Sequence, residues 1–326
     1  MIKVRTSRLG FQNRHTRQFH DLDNRLRTCH RSNALIPQRQ MKIDTYQLIT
    51  DRIIAKLESG SIPWKHFATS PLAEPKNFVS KKAYRGINHF LLSGEHSSDY
   101  WLTFKQAIDA GGNVRKGEKS TPIVFWKFLE VKDPDSRPGE ISSRDRQIPM
   151  LRHYNVFNLD QTEGIDFETV VEEKRDSEPL AEAETLISGM PKAPALVIDR
   201  IPKAYYSSSK DTVHMTERSL CVSDERYYEI LFHEHIHATG HPSRLDRFAE
   251  EGNDHHFGGK KYATEELTAE MGAAFLCSRV GIFQTVESEV AAYLENWLGA
   301  LKNDKTLIVK AAGKAQKAVE FITNDF

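Results

Sequence analysis

The sequence predicts an α+β protein of two domains: an N-terminal α+β domain, then a mostly helical domain built round a small sheet. Three observations carry that prediction. Charge divides the chain, because residues 1–163 hold 27 Lys and Arg against 17 Asp and Glu, whereas residues 164–326 hold 18 against 28. Between the halves, Asp166 to Pro179 turns acidic and polar and reads as a linker. Ahead of it lie strand-like runs rich in Val, Phe, Trp and Tyr; behind it lie segments with helical apolar periodicity. The expected boundaries are a basic arm at 1–40, a first domain at 41–163, the linker at 164–179 and a second domain at 180–326.

In chain order, the arm has nine Lys and Arg against two acids and little periodicity, so it reads as disordered. Met41 stands just before the first domain as a second candidate start. Asp44 suits the N-cap of a helix with Ile49, Ile53 and Leu57 on one face, and Gly60 ends it. Thr103 with Gln106 makes a capping box for a short helix that stops at Gly111-Gly112. Pro122–Val131 and Leu151–Leu159 read as two strands joined by a long loop, Asp133–Pro149. Phe104, Phe125 and Trp126 are assigned to the core, where aromatic residues most often lie. Asp211–Met215 reads as a short strand. The tail reads as two amphipathic helices, about Val286–Leu301 and Lys305–Ile322, with Asn303-Asp304 as the turn.

The three cysteines, Cys29, Cys221 and Cys277, have neither metal-site spacing nor the even number of a disulfide framework. A reduced cytoplasm fits. The longest apolar runs are far short of a membrane span, so no membrane partner is expected.

The most informative stretch is His233-Glu234-His235-Ile236-His237, an HExxH motif preceded by Arg226–Phe232, which has no Gly or Pro to break a helix. On a helix, His233 and His237 share one face and can grip one metal ion. Glu234, beside the first ligand, can take a proton from water that zinc (Zn2+) acidifies and pass it to a leaving amine. That is metal-dependent peptidase chemistry. His235 points to another face and is read as a bystander.

A catalytic zinc needs a third protein ligand. A third His ten positions after His233 would define one subclass, but Ser243 stands there. His241 lies just beyond the helix, and its spacing does not force it onto the metal. Downstream, Tyr262–Leu276 reads as a helix with Thr264 as N-cap and an apolar face of Leu267, Met271, Ala274 and Phe275. Glu266 and Glu270 share a face of it. One can ligate while the other orients a ligating imidazole, or both can simply complement the helix dipole. Glu266 is taken as the ligand and Glu270 as the orienting group.

The first domain mixes aromatics with cations, as single-stranded nucleic acid requires for stacked bases and followed phosphates. The candidates are Trp64 with Lys65, Lys82 with Tyr84 and Arg85, Lys105 beside Trp101, and Arg115, Lys116 and Lys119.

Leu231–His241, Ser243-Arg244-Leu245-Asp246-Arg247 and the Glu265–Leu276 helix resemble the metallopeptidase domain of ArdC-type antirestriction proteins. Tyr46–Ile54, Tyr84–Asn88, Trp101–Ala107, Val114–Lys119 and Tyr154–Asn158 resemble the same family's N-terminal domain, shared with TraC-type plasmid primases. The resemblance covers nearly everything from Met41 onward. It implies a single-stranded-DNA-binding domain joined to a zincin-like peptidase domain, encoded on mobile elements such as conjugative plasmids and protecting incoming DNA. Zincin-type peptidases also set an edge strand beside the metal, the role expected of Asp211–Met215. Glu234 is then the catalytic base, His233, His237 and Glu266 the zinc ligands, and the substrate an unidentified protein. Two other readings remain: a non-proteolytic DNA-protecting protein with a structural metal, and a DNA-responsive protease that cleaves a repressor.

Overall fold

The computed structural model describes residues 44–65, 74–94, 96–131, 146–167, 179–200, 203–251, 260–282 and 290–325. The basic arm, most of the linker and most of the long loop lie outside the described residues.

Helix α1, Thr45–Glu58, starts as its sequence predicts, with the Asp44 carboxylate accepting from the amides of Tyr46 and Gln47. Ile49, Ile53 and Leu57 are buried on one face, and the chain leaves the helix at Gly60 with φ +81°. Strand β1 (Lys76–Asn77), helix α2 (Ile87–Leu92) and strand β2 (Tyr100–Leu102) follow. Helix α3, Phe104–Asp109, opens on the predicted capping box. The Gln106 amide donates to Thr103 Oγ1 at 3.2 Å, and the Thr103 amide donates to Gln106 Oε1 at 2.8 Å.

Strand β3 (Asn113–Val114) pairs with β6 (Thr162–Glu163) in a two-stranded ladder. The main sheet has the order β1-β2-β5-β4, where β4 is Thr121–Val131 and β5 is Arg146–Asn158. These two are the predicted hairpin, but β5 begins five residues early and takes in part of the predicted loop. Pro149 sits inside β5 opposite Phe128 of β4, while β2, on the other side of β5, pairs only with Phe157 and Asn158, so on that side no ladder reaches the proline.

The second half begins with α4, Pro179–Ser188, and a three-stranded sheet: β7 (Ala195–Asp199), β8 (Tyr205–Ser207) and β9 (Thr212–Thr216). Its order is β7-β9-β8, with β9 parallel to β7 and antiparallel to β8. The sequence places an edge strand at Asp211–Met215; the structure puts that strand in the centre, and β8 takes the edge against the following helix. The helices are α5 (Asp224–Ala238), α6 (Arg247–Glu251), α7 (Lys260–Val280), α8 (Val290–Asn303) and α9 (Leu307–Thr323). Helix α7 starts at Lys260, so Thr264 is an interior residue rather than the predicted cap. No helix among the described residues is long and apolar enough to cross a membrane.

The two halves share one core. Trp64, fully buried, meets Trp297 of α8 edge-on at 5.2 Å and Phe90 of α2 at 6.4 Å. Phe90 in turn lies 4.6 Å from Phe275 of α7. Polar contacts run alongside: Thr50 Oγ1 donates to the Lys305 carbonyl at 2.8 Å, and the Gly86 amide donates to Gln316 Oε1 at 3.1 Å. This overturns the nucleic-acid role assigned to Trp64, since a wholly buried indole has no face for a base. Trp64→Ala should therefore destabilise the whole chain by about 3–5 kcal/mol, the usual cost of emptying an aromatic core site. Chemical denaturation of the full chain measures it, and an unchanged midpoint would contradict the shared core.

Candidate metal centre

Helix α5 is capped by Ser223, whose hydroxyl accepts from the Arg226 amide at 3.2 Å. Tyr227, Tyr228, Leu231, Phe232 and Ile236 are buried, which fixes the helix's rotation and leaves His233 and His237 together on a half-buried face. Gly272 brings α7 close: a Cβ there would lie 2.6 Å from Ile236 Cδ1. Only a glycine permits this approach, and it carries Glu266 to the two histidines.

The imidazole Nε2 atoms of His233 and His237 are 3.1 Å apart. Glu266 Oε2 lies 3.7 Å from His233 Nε2, and Glu266 Oε1 lies 3.7 Å from His237 Nε2. One ligand atom from each of the three residues falls within 4.8 Å of the others. An ion about 2.0–2.1 Å from tetrahedral ligands needs them about 3.3–3.4 Å apart, so these residues fit a small divalent cation. Burial alone would push Glu266 up, but hydrogen bonds from His233 and Tyr262 and the charges of both histidines hold its carboxyl below the usual range. Burial likewise lowers His233, and the Glu266 hydrogen bond with the charges of Glu234, Glu270 and Glu266 overcomes it, to about 9. Without an ion the site thus holds a proton, which a metal must displace. Glu234 is buried beside His233.

Each of the two imidazoles has a carboxylate on the side away from the cluster. His237 Nδ1 donates to Glu265 Oε1 at 3.2 Å, and Glu265 is gripped by the buried Arg247 at 2.6 Å. Arg247 also donates to the Ile236 carbonyl at 2.8 Å and to the Thr239 hydroxyl, so it closes the C-terminus of α5. Glu270 Oε1 stands 3.9 Å from His233 Nδ1, on the side the sequence assigns it. The sequence reading gives Glu265 no role, although it is the more closely bonded of the two. Nearby, Arg244 ties the same helix end to the sheet, donating to the Ala238 carbonyl at 2.6 Å, to Tyr206 at 3.1 Å and to Asp211. His235 donates to the Leu231 carbonyl at 2.7 Å, and burial lowers it to about 4, as suits a neutral bystander. His241 is bonded to Ser243 and stands apart from the ligand cluster.

Glu265 gives a pH prediction. Burial raises its carboxyl, but the hydrogen bond from His237 and the charge of Arg247 hold it at about 2. A depressed folded-state pKa contributes stability that is complete above about 4.5 and is lost as pH falls towards about 2. Glu265→Gln should cost about 3–5 kcal/mol at neutral pH, because Arg247 is left buried without its partner. Denaturation of the metal-free protein should show the gap to wild type closing across that acid window; a gap constant with pH would remove Glu265 from the pair.

Of the nucleic-acid candidates, Lys82, Lys105, Lys116 and Lys119 are exposed. Arg85 is exposed and paired with Glu320 of α9, and Arg115 is paired with Glu118 at 2.9 Å. Tyr84 is half-buried, its hydroxyl accepting from Asn77 Nδ2 at 3.2 Å. Lys65 is enclosed, its ammonium 3.8 Å from Glu229 and 4.0 Å from Glu270, so it does not belong to an exposed cationic surface. The three aromatics left to the core go the other way: Phe104, Phe125 and Trp126 are 54%, 41% and 50% exposed.

Residues 181–314 match the family model of the zincin-like metallopeptidase domain, which defines the class of this centre. Residues 43–157 match the N-terminal domain of the anti-restriction factor ArdC. The chain belongs to the ArdC family of antirestriction proteins. It is 36% identical to antirestriction protein ArdC of plasmid R388, whose metal-free and Mn(II)-bound crystal structures superpose with TM-scores of 0.67 and 0.68. Those matches cover 86% of this chain and 97% and 98% of the ArdC chains. Protein y4eC of Sinorhizobium fredii is 34% identical over 301 residues, 87% of this chain and 92% of that protein. The DNA primase TraC of Escherichia coli is 32% identical over 307 residues, and this chain spans only 27% of the primase.

Proposed function

We propose that this chain is a cytoplasmic antirestriction protein that binds single-stranded DNA through its N-terminal domain and hydrolyses a protein met near that DNA with a zinc peptidase centre. The observation that carries the reading is the meeting of His233, His237 and Glu266 beside Glu234. Two imidazoles and a carboxylate suit zinc. A bound ion supplies a Lewis acid that acidifies water and polarises a carbonyl. Glu234 then takes a proton from the attacking water and returns it to the leaving amine. Glu265 and Glu270 hold the two imidazoles, and β8, whose outer edge has no strand partner among the described residues, offers backbone groups to an extended substrate.

For DNA, the exposed lysines follow phosphates and the β4–β5 hairpin supplies stacking faces. Its register sets Tyr154 opposite Ile123, Phe125 opposite Arg152, Lys127 opposite Met150 and Val131 opposite Arg146, so these side chains share one face. Phe125 and Tyr154 lie 5.5 Å apart there, with three cations and no carboxylate along the same face of the ladder.

The test uses the full chain. Zinc- or manganese-loaded protein is incubated with candidate restriction-enzyme subunits, with and without single-stranded DNA, and cleavage is followed. In parallel, single strands of unrelated sequence should bind with an affinity that falls steeply with salt. Replacing Arg115, Lys116 and Lys119 together should lower the slope of log affinity against log salt by about 2, at roughly 0.7 per phosphate contact. Phe125→Ala should weaken binding by about 1–3 kcal/mol. Salt-insensitive binding would sink the DNA half of the reading, and absence of cleavage under every condition would sink the other half.

A further inference from the structure

Lys65 belongs to the N-terminal domain, yet its charge is spent at the metal centre of the other. Its backbone is pinned: the Lys65 amide donates to the Ile62 carbonyl at 3.0 Å, and its neighbour Trp64 is locked between Trp297 and Phe90. The side chain is only 11% exposed. Its ammonium sits between two glutamates on different helices, 3.8 Å from Glu229 Oε1 on α5 and 4.0 Å from Glu270 Oε2 on α7. Glu229 is one turn before His233 and already holds Arg226 at 2.8 Å. Glu270 is one turn after Glu266, and its other oxygen faces His233 Nδ1 at 3.9 Å.

Three carboxylates thus crowd one imidazole, Glu234, Glu266 and Glu270, and Glu229 stands one turn away on the same helix. Like charges at this spacing repel, and Glu270, only partly enclosed, would relax towards water without a cation on its outer oxygen. A lysine held by a buried tryptophan is such a cation. By turning one oxygen of Glu270 outward it leaves the other for Nδ1 of His233, which sets the ring to present Nε2.

We propose that Lys65 is a positioning residue that the N-terminal domain contributes to the metal centre, acting through Glu270 on His233. The peptidase-type centre is then assembled from both domains. This rests on the reading of His233, His237 and Glu266 as metal ligands.

The experiment uses the full chain in five forms: wild type, Lys65→Gln, Lys65→Arg, Glu270→Gln and the double variant Lys65→Gln/Glu270→Gln. The readouts are the dissociation constant for Zn2+, measured against a chromophoric chelator, and the rise in melting temperature on adding Zn2+. Lys65→Gln should weaken Zn2+ binding about tenfold, at the lower end of effects for groups behind a ligand, and shrink the metal-induced rise. Lys65→Arg should restore most of the affinity. A purely packing role would lower the melting temperature with and without metal alike and leave affinity unchanged, which would overturn the proposal. If Lys65→Gln does not fold, Lys65→Arg and Glu270→Gln carry the test: Glu270→Gln must itself lose about tenfold, and Lys65→Arg must stay within about threefold of wild type. In the double variant, a further tenfold loss beyond Glu270→Gln would show that Lys65 does not act through Glu270. His233→Ala is the control on the underlying reading. Undiminished Zn2+ binding there would remove the ligand assignment, whereas its loss beside a normal Lys65→Gln removes only the role of Lys65.

Discussion

Glu234→Gln should leave a folded protein that keeps its metal and hydrolyses peptide at least about a hundredfold more slowly, the usual minimum for deleting a general base. The residue lies beside His233 but outside the three-ligand cluster, and it is 8% exposed, so an isosteric amide neither opens a cavity nor removes a ligand. What the amide cannot do is accept a proton. Elemental analysis and hydrolysis of an unstructured protein substrate, run on the same preparation, separate the two properties. Equal loss of metal in Glu234→Gln and His233→Ala would strip Glu234 of its role. A variant without hydrolysis that still protects incoming DNA would assign protection to DNA binding and not to the peptidase.

Glu266→Ala is the second large effect: it should abolish tight metal binding outright, because two imidazoles alone do not complete a three-ligand site. Glu265→Ala and Glu270→Ala should each cost about ten- to a hundredfold, since they orient rings without touching the ion. His241→Ala should change nothing. Chelator competition ranks all four. If Glu270→Ala lost metal completely and Glu266→Ala only weakened it, the ligand would be Glu270, and the 3.7 Å approaches of Glu266 to both imidazoles would need another explanation.

Features encoded within one helical turn were legible in the sequence. The Asp44 cap, the Thr103–Gln106 box and the pairing of His233 with His237 depend on residues within a few positions of each other. The face shared by Glu266 and Glu270 followed from the same period, although α7 starts four residues before the expected cap. What depends on distant chain was not legible. The place of β9 at the centre of its sheet depends on β7 pairing in parallel along its other side, across the intervening β8, which no periodicity encodes. Glu265 points about 100° round the helix from Glu266, and its value appears only when Arg247 closes over the end of α5. The Arg244 and Arg247 signal was there to read: arginines just past a helix C-terminus commonly serve its last carbonyls. Trp64 and Trp126 show the same limit in opposite directions. Both are aromatic beside a lysine, yet one is sealed by α8 and the other stands on an open hairpin, an outcome set wholly by what packs against each.

The shared core has a consequence for inheritance. An ordinary pair of domains can be separated, shuffled and recombined one at a time, because each keeps its own interior. Here a recombination event that cut between residues 167 and 179 would leave Trp64 without Trp297 on one side and α9 without α2 on the other. Each product would lack part of its interior, so the two domains are expected to be inherited as one block. The match to TraC has that form: 307 residues, 87% of this chain, aligned as one stretch to 27% of a longer protein.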